Sequence, residues 1–307
     1  MSVRVTVCLV LAALLVGCGS STGIPRLTFG YETTAPLGYV DRGRINRPAY
    51  PIAIHDVSFR NGNLQVDGFL LVPPGKGRRP AVVFVHGSGG DRSELLAQAA
   101  WLAARNVVTL TITEPSTSSP PAQAATEAAF VRQVRDVQVR DVVTVRRAVD
   151  VLQSLPQVDP QRIGYLGWSA GAKTGAFLAA SDRRVKALVL LSAGAAPLAE
   201  FVANAQPTLR SSVREILGSV DPIRYIAYGQ AGSLLLEDGT KDEVVPHSAL
   251  LNILHAAPSG TTVHWYKAPH ALDNAAYHDA FVWLAGKLAV EGPLVRGAVT
   301  ESSGPHR

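Results

Sequence analysis

The chemistry of this chain is suggested first by one serine and its neighbours. Ser169 is the centre of a Gly-x-Ser-x-Gly pattern from Gly167 to Gly171, with apolar residues before it and small residues after it. A serine on a sharp strand-to-helix turn presents its hydroxyl above the sheet, and the two glycines omit Cβ atoms that would block such a turn. The pattern is common by chance, so its meaning depends on partners for the hydroxyl.

A serine nucleophile needs a base and an acid that orients the base, because the hydroxyl alone is a poor nucleophile near neutral pH. Two later segments offer these groups. Asp242 lies in a Gly-x-x-Asp-x-x-Val-Pro run after one apolar stretch, and His270 lies in a loop after the next. The carboxyl ends of parallel strands meet at one sheet edge, so we expect Ser169, Asp242 and His270 to form a catalytic triad there.

Other acidic residues and histidines compete for these roles. Asp238 follows the same predicted strand as Asp242, where it could instead cap the turn. His264 falls within a predicted strand and His278 within the last predicted helix, so both are interpreted as packed or surface residues. His270 is favoured as the base because it occupies a loop above the sheet edge.

Acyl transfer also needs N–H donors for the negative charge that develops on the carbonyl oxygen. A glycine-rich segment, 86–90, directly follows an apolar strand. We predict an oxyanion hole made by the backbone N–H groups of Ser88 and Ala170, with Gly89 as the alternative to Ser88. His86 is expected to brace this loop rather than to react.

Two further residues near these motifs have open roles. Trp168 either lines the substrate pocket beside Ser169 or packs under the turn. Glu114, after the strand 107–113, could face the pocket, although a loop-capping role is favoured. The chain has no His-Glu-x-x-His motif and no cysteine pair in its folded region, so we expect neither a catalytic metal nor another cofactor.

The spacing of apolar residues predicts the elements that position these groups. Alternation on both sides of Asn61-Gly62 predicts a β-hairpin. Apolar runs separated by helical patterns predict βαβ crossovers and a mostly parallel sheet, and the valines at 142, 145 and 149 have helical spacing. Strands are expected over 81–85, 107–113, 163–167, 185–192, 233–237 and 261–267, and helices around 95–104, 142–155, 170–181 and 274–290.

In type, order and position, these motifs resemble the α/β-hydrolase superfamily, and within it the dienelactone-hydrolase and prolyl-oligopeptidase-like branch, over residues 52–291. The resemblance implies an α/β-hydrolase fold: a mostly parallel central sheet, an N-terminal antiparallel hairpin and helices on both faces. It favours Asp242 over Asp238, because the Gly-x-x-Asp spacing fits the family. The dienelactone hydrolases proper carry a cysteine where Ser169 stands, and this departure favours a serine esterase.

The expected function is therefore cleavage of small or medium carboxylic esters through an acyl-enzyme. The segment 193–232 is too short for a large lid but long enough for one or two helices over the pocket, and the loop 114–126 could form another wall. Two alternatives remain: a serine peptidase of the prolyl-oligopeptidase type, which usually carries an N-terminal propeller for which this chain has no room, and a non-catalytic binding lipoprotein on the same fold.

Composition excludes some function classes. Of the 307 residues 47% are hydrophobic and 17% charged, which is typical of a folded globular protein. The formal charge of +5 comes from scattered basic residues without interleaved aromatics, so no nucleic-acid partner is expected. The sequence does not indicate an oligomeric state.

The N-terminus predicts export and lipid attachment. An apolar run over 5–16 follows Arg4; it is too short to span a membrane and fits the core of a secretory signal peptide. The run leads into Leu-Val-Gly-Cys, which resembles the bacterial lipobox. We expect residues 1–17 to be removed, and a lipid on Cys18 to hold the protein at a membrane of the cell envelope, outside the cytoplasm. Plain cleavage near Gly17 would instead give a secreted protein.

These patterns divide the chain into four parts. After the signal peptide, residues 18–49 are rich in Gly, Pro, Ser and Thr and predict a partly disordered tether. Residues 50–291 form the expected α/β-hydrolase domain, and 292–307 a flexible tail.

Overall fold

The fold is organised around one nine-stranded β-sheet. The computed structural model describes residues 29–47, 49–120, 122–195 and 198–291. The strands are β1 (Val40–Ile45), β2 (Ile54–Asn61), β3 (Leu64–Leu71), β4 (Arg79–Val85), β5 (Val108–Ile112), β6 (Val158–Trp168), β7 (Val185–Leu191), β8 (Leu234–Gly239) and β9 (Thr262–Tyr266). Their order across the sheet is β1-β2-β3-β5-β4-β6-β7-β8-β9. The pairs β1–β2, β2–β3 and β3–β5 are antiparallel and all others are parallel, which confirms the predicted sheet.

Helices cover both faces of the sheet because the parallel strands are apolar on both sides. The helices are α1 (Leu96–Ala103), α2 (Pro115–Ser118), α3 (Glu127–Ser154), α4 (Ala170–Ser181), α5 (Leu198–Asn204), α6 (Arg210–Gly218), α7 (Pro222–Ile226), α8 (His247–Ala256) and α9 (Asn274–Lys287). Along β4, Val83 and Val85 join the core formed with α3 and α4, whereas Val82 and Phe84 join the core formed with α1 and α9. This alternation is the two-residue period of a strand buried on both faces.

The valine-rich segment is a helix, as its spacing predicted. Val142, Val145 and Val149 are fully buried on one side of α3. The helix begins after Thr126, whose side-chain oxygen accepts a hydrogen bond from the N–H of Ala129 at 3.2 Å.

The predicted hairpin is formed by β2 and β3. Asn61 pairs with Leu64, and Gly62 in the turn has φ +59°, a conformation that favours glycine. The Asn61 amide also donates to Thr144 Oγ1 of α3 at 2.7 Å. The hairpin is therefore held against the helix that lies over it.

Residues 29–47, which fall within the predicted tether over 18–49, pack against the folded domain. Phe29 is fully buried between the rings of Phe177 and Tyr225, at centroid distances of 5.3 and 5.0 Å. The Tyr31 hydroxyl donates to Asp150 at 2.9 Å, and β1 adds an edge strand to the sheet. These contacts could not be predicted from the sequence, because β1 (VDRGRI) is polar and largely exposed.

The segment between β7 and β8 is more helical than expected. It contains α5, a short 3-10 turn at Pro207–Leu209, α6 and α7. Val202 and Val213 of this segment pack with Val131 of α3 in a separate small core. The helix α8, after β8, was not predicted from the sequence.

The predicted signal peptide, Cys18, the first part of the predicted tether and the predicted tail over 292–307 lie outside the described residues. Within the described ranges, no helix combines the length and the apolar character needed to cross a bilayer.

The buried position of Phe29 gives a first prediction. Phe29→Ala should lower the free energy of unfolding by about 3–5 kcal/mol, because it removes a ring enclosed by two other rings. The control Val40→Ala, at an edge-strand position that is 51% exposed, should change it by about 0.5 kcal/mol or less. Urea unfolding measures both variants. Equal stability of Phe29→Ala and wild type would mean that this segment is a tether after all.

Candidate active site

Ser169 lies on a strained turn between the end of β6 and the start of α4. Its φ is +55° and its ψ −109°, a conformation that is rare for a residue with a side chain. The Ser169 N–H donates to the carbonyl of Leu191 at 2.8 Å, and the Gly171 N–H to that of His86 at 3.1 Å. A Cβ atom on Gly171 would collide with the backbone of Val85 and His86, so the turn requires glycine there.

The structure brings Ser169, His270 and Asp242 into one hydrogen-bonded chain. His270 Nε2 lies 2.9 Å from Ser169 Oγ, and His270 Nδ1 lies 2.7 Å from Asp242 Oδ2. A carboxylate only accepts hydrogen bonds, so the pairing assigns the imidazole proton to Nδ1 and leaves Nε2 free to accept from the serine hydroxyl. The side chain of Asp242 is 1% exposed. Its other oxygen accepts from the N–H groups of Val244 and Val245 at 2.9 and 2.8 Å.

The loop that carries His270 is held at its carbonyl oxygen. Trp168 Nε1 donates to this oxygen at 3.0 Å, and Ser192 Oγ donates to it at 2.8 Å. The Trp168 ring also packs against Gly87 and lies 5.3 Å from the His270 ring. Of the two roles left open for Trp168, these contacts are those of packing and positioning. Ser192 was missed because no local motif marks it.

The glycine-rich loop and Ala170, the residue after Ser169, line one cavity. Ser88 and Ala170 line the same cavity, and the hydrogen bonds of the described residues leave both N–H groups without a protein acceptor. Gly89, the alternative donor, has φ +76° and lines this cavity too. The loop is fixed at its base by the Gly87 N–H, which donates to Glu94 Oε2 at 2.8 Å.

His86 braces this loop. Its Nδ1 lies 2.6 Å from the carbonyl oxygen of Gly87, and its Nε2 accepts from the Glu114 N–H at 3.0 Å. Burial lowers the pKa of His86, so its imidazole is neutral and can act as donor at one nitrogen and acceptor at the other.

The competing residues have other partners. Asp238 is buried, accepts from the N–H of Ala193, and has its pKa raised to about 7 by burial and by the nearby charge of Asp242. His264 lies 3.1 Å from Glu237, and the ring of His278 lies edge-on to Trp101. None of the three completes the chain to Ser169.

A cluster beside the site contains Glu114, which lines the cavity, together with Asp141 and Lys173, which were not predicted from the sequence. The side chains of Glu114 and Asp141 are buried, and burial raises the pKa of both carboxyl groups. Thr174 Oγ1 donates to Glu114 at 3.0 Å, and the Ser116 N–H donates to Asp141 at 3.0 Å. Lys173, one helical turn after Ser169, faces both carboxyl groups. Burial lowers its pKa, whereas Glu114 and Asp141 oppose this effect.

Two neighbouring cavities adjoin this cluster. The first, here called the oxyanion cavity, measures about 560 Å³ and is lined by Ser88, Ala170 and parts of α2 and α3. The second, the apolar chamber, measures about 500 Å³ and lies among α3, α5 and α6. Phe130, Val134, Gln138 and Lys173 line both.

Comparison with solved structures identifies the fold. An acetyl xylan esterase from Paenibacillus sp. R4 superposes with a TM-score of 0.67 and 18% identity over 82% of this chain and 89% of that one. Acetyl xylan esterase 1 from Thermoanaerobacterium sp. JW/SL YS485 gives 0.66 and 16% over 83% and 89%. The chain has the α/β-hydrolase fold. Identities this low establish the fold alone.

Sequence comparison finds similarity over shorter stretches. The family described as the C-terminal region of BAAT / acyl-CoA thioester hydrolase matches residues 145–227, which include Ser169 but neither Asp242 nor His270. Polyketide transferase ATR5 of Stachybotrys chlorohalonatus (strain IBT 40285) is 31% identical over 149 residues. Those residues are 48% of this chain and 46% of the relative, so the chain matches about half of that protein's length.

The two donors to the His270 carbonyl give a second prediction. Trp168→Phe and Ser192→Ala should each lower kcat for p-nitrophenyl acetate about 3- to 10-fold with little change in KM, because each removes one hydrogen bond that positions the imidazole. Steady-state kinetics provides the measurement.

The matched control is Trp283→Phe, which also removes a tryptophan hydrogen bond, from Nε1 to Thr262, but away from His270. Its kcat should equal that of wild type. Unchanged kcat in both Trp168→Phe and Ser192→Ala would show that the loop is positioned by other contacts.

Proposed function

We propose that this protein is a serine hydrolase that cleaves carboxylic esters through a covalent acyl-enzyme. The observation that carries the proposal is the chain of hydrogen bonds from Ser169 through His270 to Asp242, at 2.9 and 2.7 Å. The fold shared with two acetyl xylan esterases supports it, as does the match to the acyl-CoA thioester hydrolase family around Ser169.

In the first half of the reaction, Ser169 Oγ attacks the ester carbonyl carbon while His270 Nε2 takes the hydroxyl proton. Asp242 holds the imidazole tautomer and stabilises the imidazolium. The N–H groups of Ser88 and Ala170 bind the oxygen that becomes negative, at the start of α4 where the helix dipole also favours negative charge. The tetrahedral intermediate collapses, His270 protonates the leaving alcohol, and the acyl group remains on Ser169.

In the second half, water replaces the alcohol. His270 takes a proton from the water as its oxygen attacks the acyl carbon, and returns that proton to Ser169 Oγ as the acid leaves. The tetrahedral intermediates of both halves use the same N–H donors, so one oxyanion hole serves both steps. Each group in this scheme is a side chain or N–H of this chain.

The resemblance to the dienelactone-hydrolase branch, with Ser169 where those enzymes carry a cysteine, favours a serine esterase. A peptidase would use the same groups, and assays of p-nitrophenyl esters beside aminoacyl p-nitroanilides separate the two activities. A binding protein on this fold would turn over neither substrate.

The triad gives a third prediction. Ser169→Ala should reduce kcat for p-nitrophenyl acetate by on the order of 10⁶-fold, and Asp242→Asn by on the order of 10⁴-fold, because the asparagine stabilises the wrong imidazole tautomer. Asp238→Asn is the control. Asparagine resembles the protonated form of this buried acid, so activity should change little. A larger loss in Asp238→Asn than in Asp242→Asn would reverse the assignment of the acid.

We also propose that the mature protein is anchored in the cell envelope by a lipid on Cys18. The support is the apolar run over 5–16 and the lipobox-like residues before Cys18. A lipid anchor would keep the domain on the membrane without a spanning helix.

This localisation gives a fourth prediction. In a bacterial host, the wild-type protein should sediment with membranes, whereas Cys18→Ala should appear in the soluble fraction, as immunoblots of both fractions would measure. Cys8→Ala is the matched control and should stay with the membranes. Membrane association of Cys18→Ala equal to wild type would exclude the lipid as the anchor.

A further inference from the structure

The oxyanion cavity, which Ala170 lines next to Ser169, and the apolar chamber together form one cleft. The four residues that line both cavities make them adjacent compartments. The oxyanion cavity is lined by Ser88 and Ala170, the two proposed oxyanion donors, whereas neither Ser169 nor His270 lines either compartment. The base must protonate the leaving alcohol, so the alcohol lies on the His270 side. The cleft therefore receives the acyl half of the ester.

The apolar chamber suits a hydrocarbon chain. Val131, Val213, Leu217 and Val220 line its wall, and Phe130 and Phe201 stand at its edge with 56% and 50% of their surface exposed. Exposed aromatic rings beside an apolar hollow mark a binding surface on a folded protein. Its continuity with the oxyanion cavity points to the distal part of the substrate as its occupant.

Lys173 stands at the boundary between the two compartments. Its N–H donates to the carbonyl of Ser169 at 3.0 Å, so the two residues lie one turn apart on the same side of α4. Among the described residues, no carboxylate lies within 4 Å of the ammonium and no acceptor hydrogen-bonds to it. Glu114 and Asp141 act on it only through their longer-range charge. Because Lys173 lines both compartments and its ammonium has no protein acceptor, the ammonium can donate a hydrogen bond to a molecule bound there.

We propose that Lys173 selects the substrate class of the proposed reaction: esters whose acyl group carries an oxygen acceptor a few bonds from the scissile carbonyl and a hydrocarbon chain beyond it. The oxygen accepts a hydrogen bond from the ammonium, and the chain fills the apolar chamber. This inference rests on the proposed ester hydrolysis and adds a preference within it.

The acceptor is a neutral oxygen, such as a ketone or hydroxyl, rather than a carboxylate. Asp141 and Glu114 already place buried acidic groups around Lys173, and their charge acts on its ammonium. A second anion in this enclosed site would be left without a countercharge.

The experiment compares p-nitrophenyl decanoate with its 4-oxo, 5-oxo and 6-oxo analogues in wild type, Lys173→Met and the control Lys186→Met, an exposed lysine on β7. For at least one analogue, the wild-type ratio of kcat/KM, oxo over plain chain, should exceed the ratio in Lys173→Met by about 10-fold, the size expected for a hydrogen bond to a charged group. Taking the ratio within each protein cancels the intrinsic reactivity of each ester. Lys186→Met should keep the wild-type ratios.

A further variant tests the hydrocarbon part. Leu217→Trp should lower kcat/KM for the decanoate relative to the acetate, since the indole fills the apolar chamber.

Thermal melting monitors the folding of each variant. Lys173→Gln replaces Lys173→Met if the latter does not fold, and Lys173→Gln too should lose most of the oxo preference.

The outcomes separate the two proposals. Equal ratios in wild type and Lys173→Met for all three analogues would overturn the role of Lys173, while turnover that depends on Ser169 would leave ester hydrolysis standing. An unchanged decanoate-to-acetate ratio in Leu217→Trp would place the chain elsewhere. If no ester is hydrolysed in a manner that depends on Ser169, the proposed function fails, and this inference fails with it.

Discussion

The structure of the site depends on one strained turn and on the two strands that hold it. Ser169 keeps its positive φ because two hydrogen bonds hold the turn. The Ser169 N–H donates to the carbonyl of Leu191 on β7, and the Gly171 N–H donates to the carbonyl of His86 after β4. The strands β4 and β7 lie on the two sides of β6. Both bonds come from neighbours that are fixed by the parallel sheet. A turn held by one neighbouring strand could relax, whereas this turn could relax only if its hydrogen bonds on both sides of β6 broke. The cost of the strained residue is thus offset by the sheet, and the hydroxyl is held where a base can reach it.

His270 and Asp242, the proposed base and acid, are also held by hydrogen bonds that satisfy buried polar groups. The Asp242 carboxylate is almost completely buried, which is tolerable because its oxygens accept from His270 and from two N–H groups. The His270 carbonyl is held in turn by Trp168 and Ser192, residues from the ends of β6 and β7. The imidazole is therefore positioned from three separate strand ends. Such positioning before the substrate arrives is the condition under which general base catalysis is efficient.

Much of the fold could be predicted from the sequence, since it depends on local patterns. The turn at Gly62, the valine spacing of α3 and the apolar run of β4 each decide their own structure over a few residues. The edge strand β1 could not be predicted, because its polar residues pair at an exposed edge where no hydrophobic pattern is required. Ser169, Asp242 and His270 each follow a predicted parallel strand, so the sequence predicted that they meet at one sheet edge. Ser192, Asp141 and Lys173 have no such signal, since no motif marks them.

The most direct test of the central claim is the site and rate of covalent labelling by a fluorophosphonate probe. If His270 activates Ser169, peptide mapping finds one adduct, on Ser169, and labelling is much slower in His270→Ala while the protein remains folded. An adduct at a different residue, or an equal labelling rate in wild type and His270→Ala, would contradict the claim that the imidazole activates this hydroxyl.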